Sequence, residues 1–339
     1  MININEVRIT HDLLMDISRI DIMKGRWPEI KEKKESLLSN MRAQCRIASN
    51  AASNRIEGSE LRDWEVEKVI SGITLPGFKA KDISDARGFV RAISLISDDY
   101  ELLPFSEATI KRFHREMFNT DEYRETDKPV QNILFDKGEP MIENAAALEA
   151  PRLMRALVDE SDILFESKNY HPLIITGIFI FHLLTINPFE YGNGRISRLM
   201  ITYLLLKHGY GFIEYYPLEV IIEESRKNYL SALKRSQSTK DYGPFLSYFI
   251  KTLAKETIRL EAKLNRDDYS APASDEDSLS PLERDILEVV RGAKAMYTAE
   301  LLAALDYKDP TIKKALRELV KKNKLKQLGV GRGTYYQLG

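Results

Sequence analysis

Residues 173–186 are almost wholly apolar, and they run into Asn187-Pro188, a turn punctuated by Gly192 and Gly194, and two arginines, Arg195 and Arg198. A helix with no polar face has to be buried, so this stretch sets the centre of any core the chain can build. Proline cannot continue a helix and pushes the residue before it out of the helical region, which breaks the chain at Asn187. The two glycines permit positive φ, so that successive N–H groups can converge on an anion. Arg195 then opens a helix whose N-terminal dipole adds positive potential, and Arg198 lies on the same face. A turn, a helix N-terminus and two guanidiniums describe a cradle for a di- or triphosphate. The competing reading is a helix-to-helix corner with a glycine cap and solvated arginines.

The rest of the chain predicts a mainly α protein. Its 339 residues are too many for one small domain, so two or three units are expected. Helical patterns cover 30–56, 83–97, 106–118, 147–165, 173–186, 195–208, 218–236 and 242–264. β-type residues on either side of Asp136-Lys137-Gly138 predict a short hairpin over 130–142. Residues 267–281 are rich in Ser, Asp, Ala and Pro and read as an acidic linker. Beyond it come helices at 282–292, 298–304 and 310–323, then strands at 325–328 and 334–338 around a glycine-rich turn. Three helices followed by a hairpin make a winged helix, an α+β module. The expected division is a helical region over 1–95, a core over 96–266, the linker 267–281 and the winged helix 282–339.

Several function classes are excluded at this level. No apolar run approaches a membrane span, and the polar first dozen residues lack the apolar block of a signal peptide, so a cytoplasmic protein with no membrane partner is expected. A single cysteine, Cys45, excludes an internal disulfide framework and fits a reducing compartment. One Cys and five His argue against a zinc site. Fifty basic and 51 acidic residues nearly cancel, so any nucleic-acid affinity must come from a local patch. Residues 282–339 carry such a patch, with twelve basic and seven acidic residues. Lys313, Lys314, Arg317, Lys321 and Lys322 lie on the helix that would enter a DNA major groove, and Lys326 and Arg332 flank the wing. The competing reading is a protein-interaction module with a solvated basic face.

The string Asn187-Pro188-Phe189-Glu190-Tyr191-Gly192-Asn193-Gly194-Arg195, with Arg198, resembles the signature of the Fic (Fido) family, His-Pro-Phe-x-(Asp/Glu)-Gly-Asn-Gly-Arg-x-x-Arg. The likeness extends over roughly residues 10–260: 173–186 resembles the family's helix before the motif, 113–118 its Leu-His-Arg region, and 130–142 lies where the family places a β-hairpin flap. The resemblance implies a Fic-type helical bundle and a protein adenylyltransferase, which moves AMP from ATP to a hydroxyl of a target protein. It assigns phosphate binding to Gly192, Asn193, Gly194, Arg195 and Arg198. In such members the motif His takes the target's proton and the acid holds Mg²⁺.

Two positions depart from that pattern. Asn187 stands where the base belongs, and an amide has no useful basicity, a loss typically costing about 10²–10⁴ in rate. Tyr191 stands where the metal acid belongs; Glu190, one residue away, is the alternative Mg²⁺ ligand. The expectation is a chain that binds nucleotide and transfers AMP slowly or not at all.

Upstream, Ser53-Asn54-Arg55-Ile56-Glu57-Gly58 resembles the family's inhibitory motif, (Ser/Thr)-x-x-x-Glu-(Gly/Asn). That likeness implies that Glu57 pairs with Arg198 and blocks the γ-phosphate subsite, with Gly58 ending the helix. The alternative is a capped helix with a solvated glutamate. Tyr229 resembles the family's tyrosine near adenine, and is equally at home as a core aromatic. The flap edge, with Leu134 and Phe135, would hold a target segment by strand addition, or else seal the core. His114, His171 and His182 read as structural. A second function class remains open: a nucleotide-responsive, DNA-binding regulator in which the core only senses.

Overall fold

The computed structural model describes residues 2–73, 78–127, 135–136, 139–140, 143–266, 279–293, 295–305, 307, 309–329 and 334–338. The chain divides into two compact units, Met1–Lys263 and Leu264–Gly339.

The first unit is helical. It opens with α1 (His11–Lys33), capped by Thr10, whose hydroxyl accepts from Leu13 N–H at 3.2 Å. The sequence pattern placed the first helix at 30–56; the helix instead begins at His11 and breaks at Lys34 before α2 (Glu35–Ile56). Pro28 lies inside α1, where proline costs about 3 kcal/mol. Burial of the stripe Leu13, Ile17, Ile20, Met23 and Trp27 outweighs that cost. There follow α3 (Asp63–Ile70), a short helix the sequence pattern did not reveal, α4 (Ala80–Asp99) and α5 (Glu107–Phe118). A two-residue pairing, β1 (Phe135–Asp136) with β2 (Glu139–Pro140), is antiparallel; the rest of the expected hairpin at 130–142, Leu134 included, lies outside the described residues.

The centre of the unit is α6 (Ala150–Ser167), α7 (Pro172–Ile186) and α8 (Asn193–Lys207), packed in sequence. Along α7 almost every side chain is buried, as its lack of a polar face requires. The single helix expected over 218–236 is two, α9 (Leu218–Glu224) and α10 (Arg226–Thr239). At the break, Ser225 Oγ donates to Ile221 O (2.6 Å) and meets Tyr248 OH (2.7 Å), a side-chain bond that competes with the helical ladder. The unit closes with α11 (Gly243–Arg266). α2 packs on α4 and α9, which places its C-terminal end against α8.

The second unit contains α12 (Pro281–Ala293), β3 (Ala295–Tyr297), α13 (Thr298–Ala304), α14 (Asp309–Lys321), β4 (Leu325–Leu328) and β5 (Tyr335–Leu338). Ser280 and Glu283 form a capping box, Ser280 N–H to Glu283 Oε2 at 2.7 Å and Glu283 N–H to Ser280 Oγ at 3.3 Å. The sheet has three strands in the order β3-β5-β4, all antiparallel, rather than the two expected. At three residues β3 is too short to leave an alternating pattern. Ile286, Val290, Leu301, Ile312, Leu316 and Leu319 form this unit's core. Residues 267–278 of the expected linker, and Arg332, lie outside the described residues. Among the described residues no helix is long and apolar enough to cross a membrane.

Candidate functional site

The turn between α7 and α8 is built by its own residues. Asn187 ends α7 in the left-handed region (φ 52°, ψ 59°), a conformation asparagine tolerates. It is fully buried. Phe189 is also buried and stacks on His114, with ring centroids 3.9 Å apart. Phe189 N–H donates to Asn193 Oδ1 (2.8 Å), and Asn193 Nδ2 donates back to Phe189 O (2.7 Å), so the Asn193 amide closes the turn. At Gly192, φ is +80° and a Cβ would lie 2.3 Å from the Phe118 ring, so only glycine fits.

Arg124 holds this turn from outside the motif. Its Nε donates to Asn187 O (2.8 Å), and Nη2 donates to Ile186 O (3.4 Å) and Ala145 O. These bonds satisfy carbonyls that the end of α7 leaves without helical partners. Nη1 donates to Thr126 O (3.3 Å) and pairs with Asp127 (3.3 Å), which also accepts from Ala147 N–H (2.6 Å). The segments flanking the hairpin and the end of α7 thus share one guanidinium. No periodicity or motif marks Arg124 in the sequence. His114 faces Thr120 O (2.5 Å) and Tyr191 O (3.0 Å) with its two ring nitrogens, and burial holds its pKa below the usual histidine value.

Arg195 and Arg198 point inward, each only 3% exposed. Arg198 Nε donates to Ser53 Oγ (3.1 Å), and Nη2 donates to Ser53 O (3.0 Å) and Glu57 Oε1 (3.0 Å). Arg195 Nη1 donates to Asn54 Oδ1 (3.2 Å) and pairs with Asp85 Oδ2 (2.6 Å), and its guanidinium lies over the Phe118 ring at 4.6 Å. Arg195 Nε and Arg198 Nη1 are buried with no partner among the described residues. A Cβ on Gly194 would fall 2.5 Å from Glu57 Oε1 and 3.1 Å from Arg198 Nη1, so the glutamate rests against the first turn of α8. That is where free N–H groups and the positive end of the helix lie.

Ser53, Asn54 and Glu57 share one side of the end of α2, and Gly58 (φ +92°) terminates it. Arg55 fastens that end elsewhere. Its Nε and Nη2 form a two-pronged bond to Glu223 of α9 (2.8 and 2.9 Å), and Nη1 bonds Asp63 of α3 (2.8 Å). Burial alone would lower the Arg55 pKa; the bonds to Glu223 and Asp63 raise it further into the always-charged range.

The remaining expected residues are more scattered. Tyr229 is buried and lines, with Arg198, Ile180, Ile222, Phe245 and Tyr248, a small apolar pocket. Glu190 is exposed, and Tyr191 is 40% exposed with its ring edge-on to Phe118 at 5.2 Å. Among the described residues no three His, Cys, Asp or Glu side chains gather as metal ligands. The metal position of the signature is held by Tyr191, a phenol rather than a carboxylate, and Glu190 beside it is the nearest acid. His171 accepts from Leu173 N–H (3.3 Å) at the start of α7 and bonds Asp21 (2.8 Å), while His182 bonds Tyr242 OH (2.9 Å).

The Fic/DOC family model matches residues 104–205, the segment from just before α5 to the end of α8. Protein adenylyltransferase fic-1 of Caenorhabditis elegans is 21% identical over 242 residues, 69% of this chain and 45% of that protein. Protein adenylyltransferase Fic of Drosophila melanogaster is 33% identical over 94 residues, 28% of this chain and 18% of the fly protein. The chain spans less than half the length of either relative. Among solved structures, a Fic family protein from Desulfovibrio desulfuricans G20 superposes with a TM-score of 0.66 at 22% identity, covering 98% of both chains. A Fic domain containing signaling protein from Bacteroides thetaiotaomicron VPI-5482 gives 0.62 at 22% identity, covering 76% of this chain and all of that one. These likenesses share the fold of the helical unit, and the segment that matches the Fic/DOC family model, residues 104–205, contains Asn187 and both arginines.

Proposed function

We propose that the turn between α7 and α8 is a nucleotide phosphate site, that the end of α2 gates it, and that AMP transfer from ATP to a protein hydroxyl is slow or lost. One observation carries this reading. Two buried arginines one turn apart at the start of α8 each keep an N–H without a partner among the described residues, and each is bonded to a carboxylate from outside the turn. Buried guanidinium donors without acceptors are costly, and an anion at a helix N-terminus removes that cost. The relatives named protein adenylyltransferases support a nucleotide as that anion. Gly192, Gly194, Arg195 and Arg198 then contact phosphate, Asn193 shapes the turn, and Ser53 and Glu57 occupy Arg198 in the gated state. Tyr229 and its neighbours would receive the adenosine side. Asn187 can orient a hydroxyl and cannot take its proton.

Labelled ATP tests the reading. Glu57→Gly should bind ATP, and adding Arg198→Ala should abolish that binding. Incorporation of AMP label into the chain or into added protein should stay near background in both. ATP binding that survives Arg198→Ala, or rapid labelling by the unaltered chain, contradicts it.

A second reading concerns the other unit. Its helix order and terminal hairpin suit a winged helix, and Lys313, Lys314 and Arg317 are exposed along α14. Lys321 and Lys322 are paired with Glu318 (3.0 Å) and Glu283 (2.7 Å), so they offer less to a phosphate backbone. We propose DNA as the partner of that face, which would make the protein a nucleotide-responsive regulator. Retention of duplex DNA should weaken with salt and fall in Lys313→Glu/Arg317→Glu. Unchanged retention in that variant sends the reading to a protein partner instead.

A further inference from the structure

Both arginines of the site are already bonded to a carboxylate, and the two carboxylates come from different helices. Glu57, at the end of α2, lies 3.0 Å from Arg198 Nη2, and Asp85, in α4, lies 2.6 Å from Arg195 Nη1. The string at 53–58 accounts for Glu57 and has no counterpart for Asp85. The Arg195 and Asp85 side chains are 4% and 15% exposed, so water and salt screen this pair weakly. Asp85 is not the sole contact that aims Arg195: the guanidinium also lies over the Phe118 ring (4.6 Å), and Nη1 donates to Asn54 Oδ1 (3.2 Å). What Asp85 adds is a negative charge where an anion would bind. Each carboxylate makes the charge-assisted hydrogen bond that a phosphoryl oxygen would make to the same guanidinium.

Resting on the phosphate-site reading above, we propose that Asp85 is a second internal anion. Together, Glu57 and Asp85 stand in for two adjacent phosphoryl groups of a nucleoside di- or triphosphate. Withdrawal of α2 clears Arg198 and removes Asn54 from Arg195, while Asp85, on another helix, stays in place and continues to oppose a second phosphoryl group. Full occupancy therefore requires two carboxylates to be displaced.

The test is calorimetric titration of ATP and of inorganic pyrophosphate into four full-length proteins: unaltered, Glu57→Gly, Asp85→Asn, and the double variant. Asparagine keeps the size and hydrogen-bonding reach of Asp85 and drops its charge. The double variant should bind both probes about tenfold more tightly than Glu57→Gly. Glu57→Gly/Asp85→Glu, which keeps the charge, should gain nothing. Thermal melts accompany each protein, and Asp85→Ser carries the same expectation should Asp85→Asn fail to fold. If the double variant binds pyrophosphate no better than Glu57→Gly, or worse, Asp85 merely orients Arg195 and the inference falls while the phosphate site stands. If neither the single nor the double variant binds ATP, the phosphate-site reading itself falls.

Discussion

Asn187 is one of the two positions, with Tyr191, where this turn departs from the Fic signature. Asparagine tolerates the left-handed conformation this position adopts, and Arg124 fixes its carbonyl at 2.8 Å. On the proposed reading, what Asn187 removes is a proton acceptor and not the shape of the turn. Asn187→His should fold with an unchanged melting temperature and raise AMP transfer by about 10²–10⁴ in a Glu57→Gly background, measured as label incorporation. No gain would mean that the base is not what is missing. Tyr191 makes a separate prediction: ATP affinity of Glu57→Gly should be nearly insensitive to Mg²⁺, and adding Tyr191→Asp should introduce a Mg²⁺ dependence. A strong Mg²⁺ dependence with Tyr191 in place would point to Glu190 as a ligand. The turn was legible in sequence because its constraints are local, a proline, two glycines and arginines three residues apart. Asp85 and Arg124 were not, because each acts across a gap of more than sixty residues that no periodicity records.

At the scale of elements, the end of α2 is held by more than its glutamate. Arg55 ties it to α9 and α3 through Glu223 and Asp63, all three side chains partly exposed. Arg55→Ala should cost about 1–2 kcal/mol, the usual magnitude for losing hydrogen bonds between partly exposed charged groups. It should also loosen Glu57 and raise ATP affinity part of the way toward that of Glu57→Gly. A destabilised protein whose ATP affinity equals that of the unaltered chain would show that Arg55 is structural only. Element existence was largely readable from hydrophobic periodicity, most clearly for α7. The failures have physical causes. Pro28 disguised α1, which tertiary burial keeps helical, and Ser225 splits a pattern that reads as one helix into α9 and α10.

For the whole molecule, stability should depend on pH through buried groups of opposite sign. Burial lowers the pKa of His182 and His208 from 6.5 to about 4. An unfolded chain binds protons there that the folded chain refuses, so stability present above pH 6.5 is lost as pH falls toward 4. Burial raises Glu219 and Glu256, whose contribution runs the other way and is lost as pH rises through their elevated values. In melts between pH 4.5 and 8, His182→Gln should flatten the acid limb and Glu219→Gln the alkaline limb. Parallel curves for variant and unaltered protein would contradict that assignment.

The central question is whether Glu57 excludes a nucleotide from Arg195 and Arg198. Calorimetric titration of ATP into the unaltered protein and into Glu57→Gly, with matched melting temperatures, measures this directly. The predicted result is weak or undetectable binding to the unaltered chain and at least tenfold tighter binding to the variant. Equal affinity in the two proteins, or binding only to the unaltered one, would contradict it.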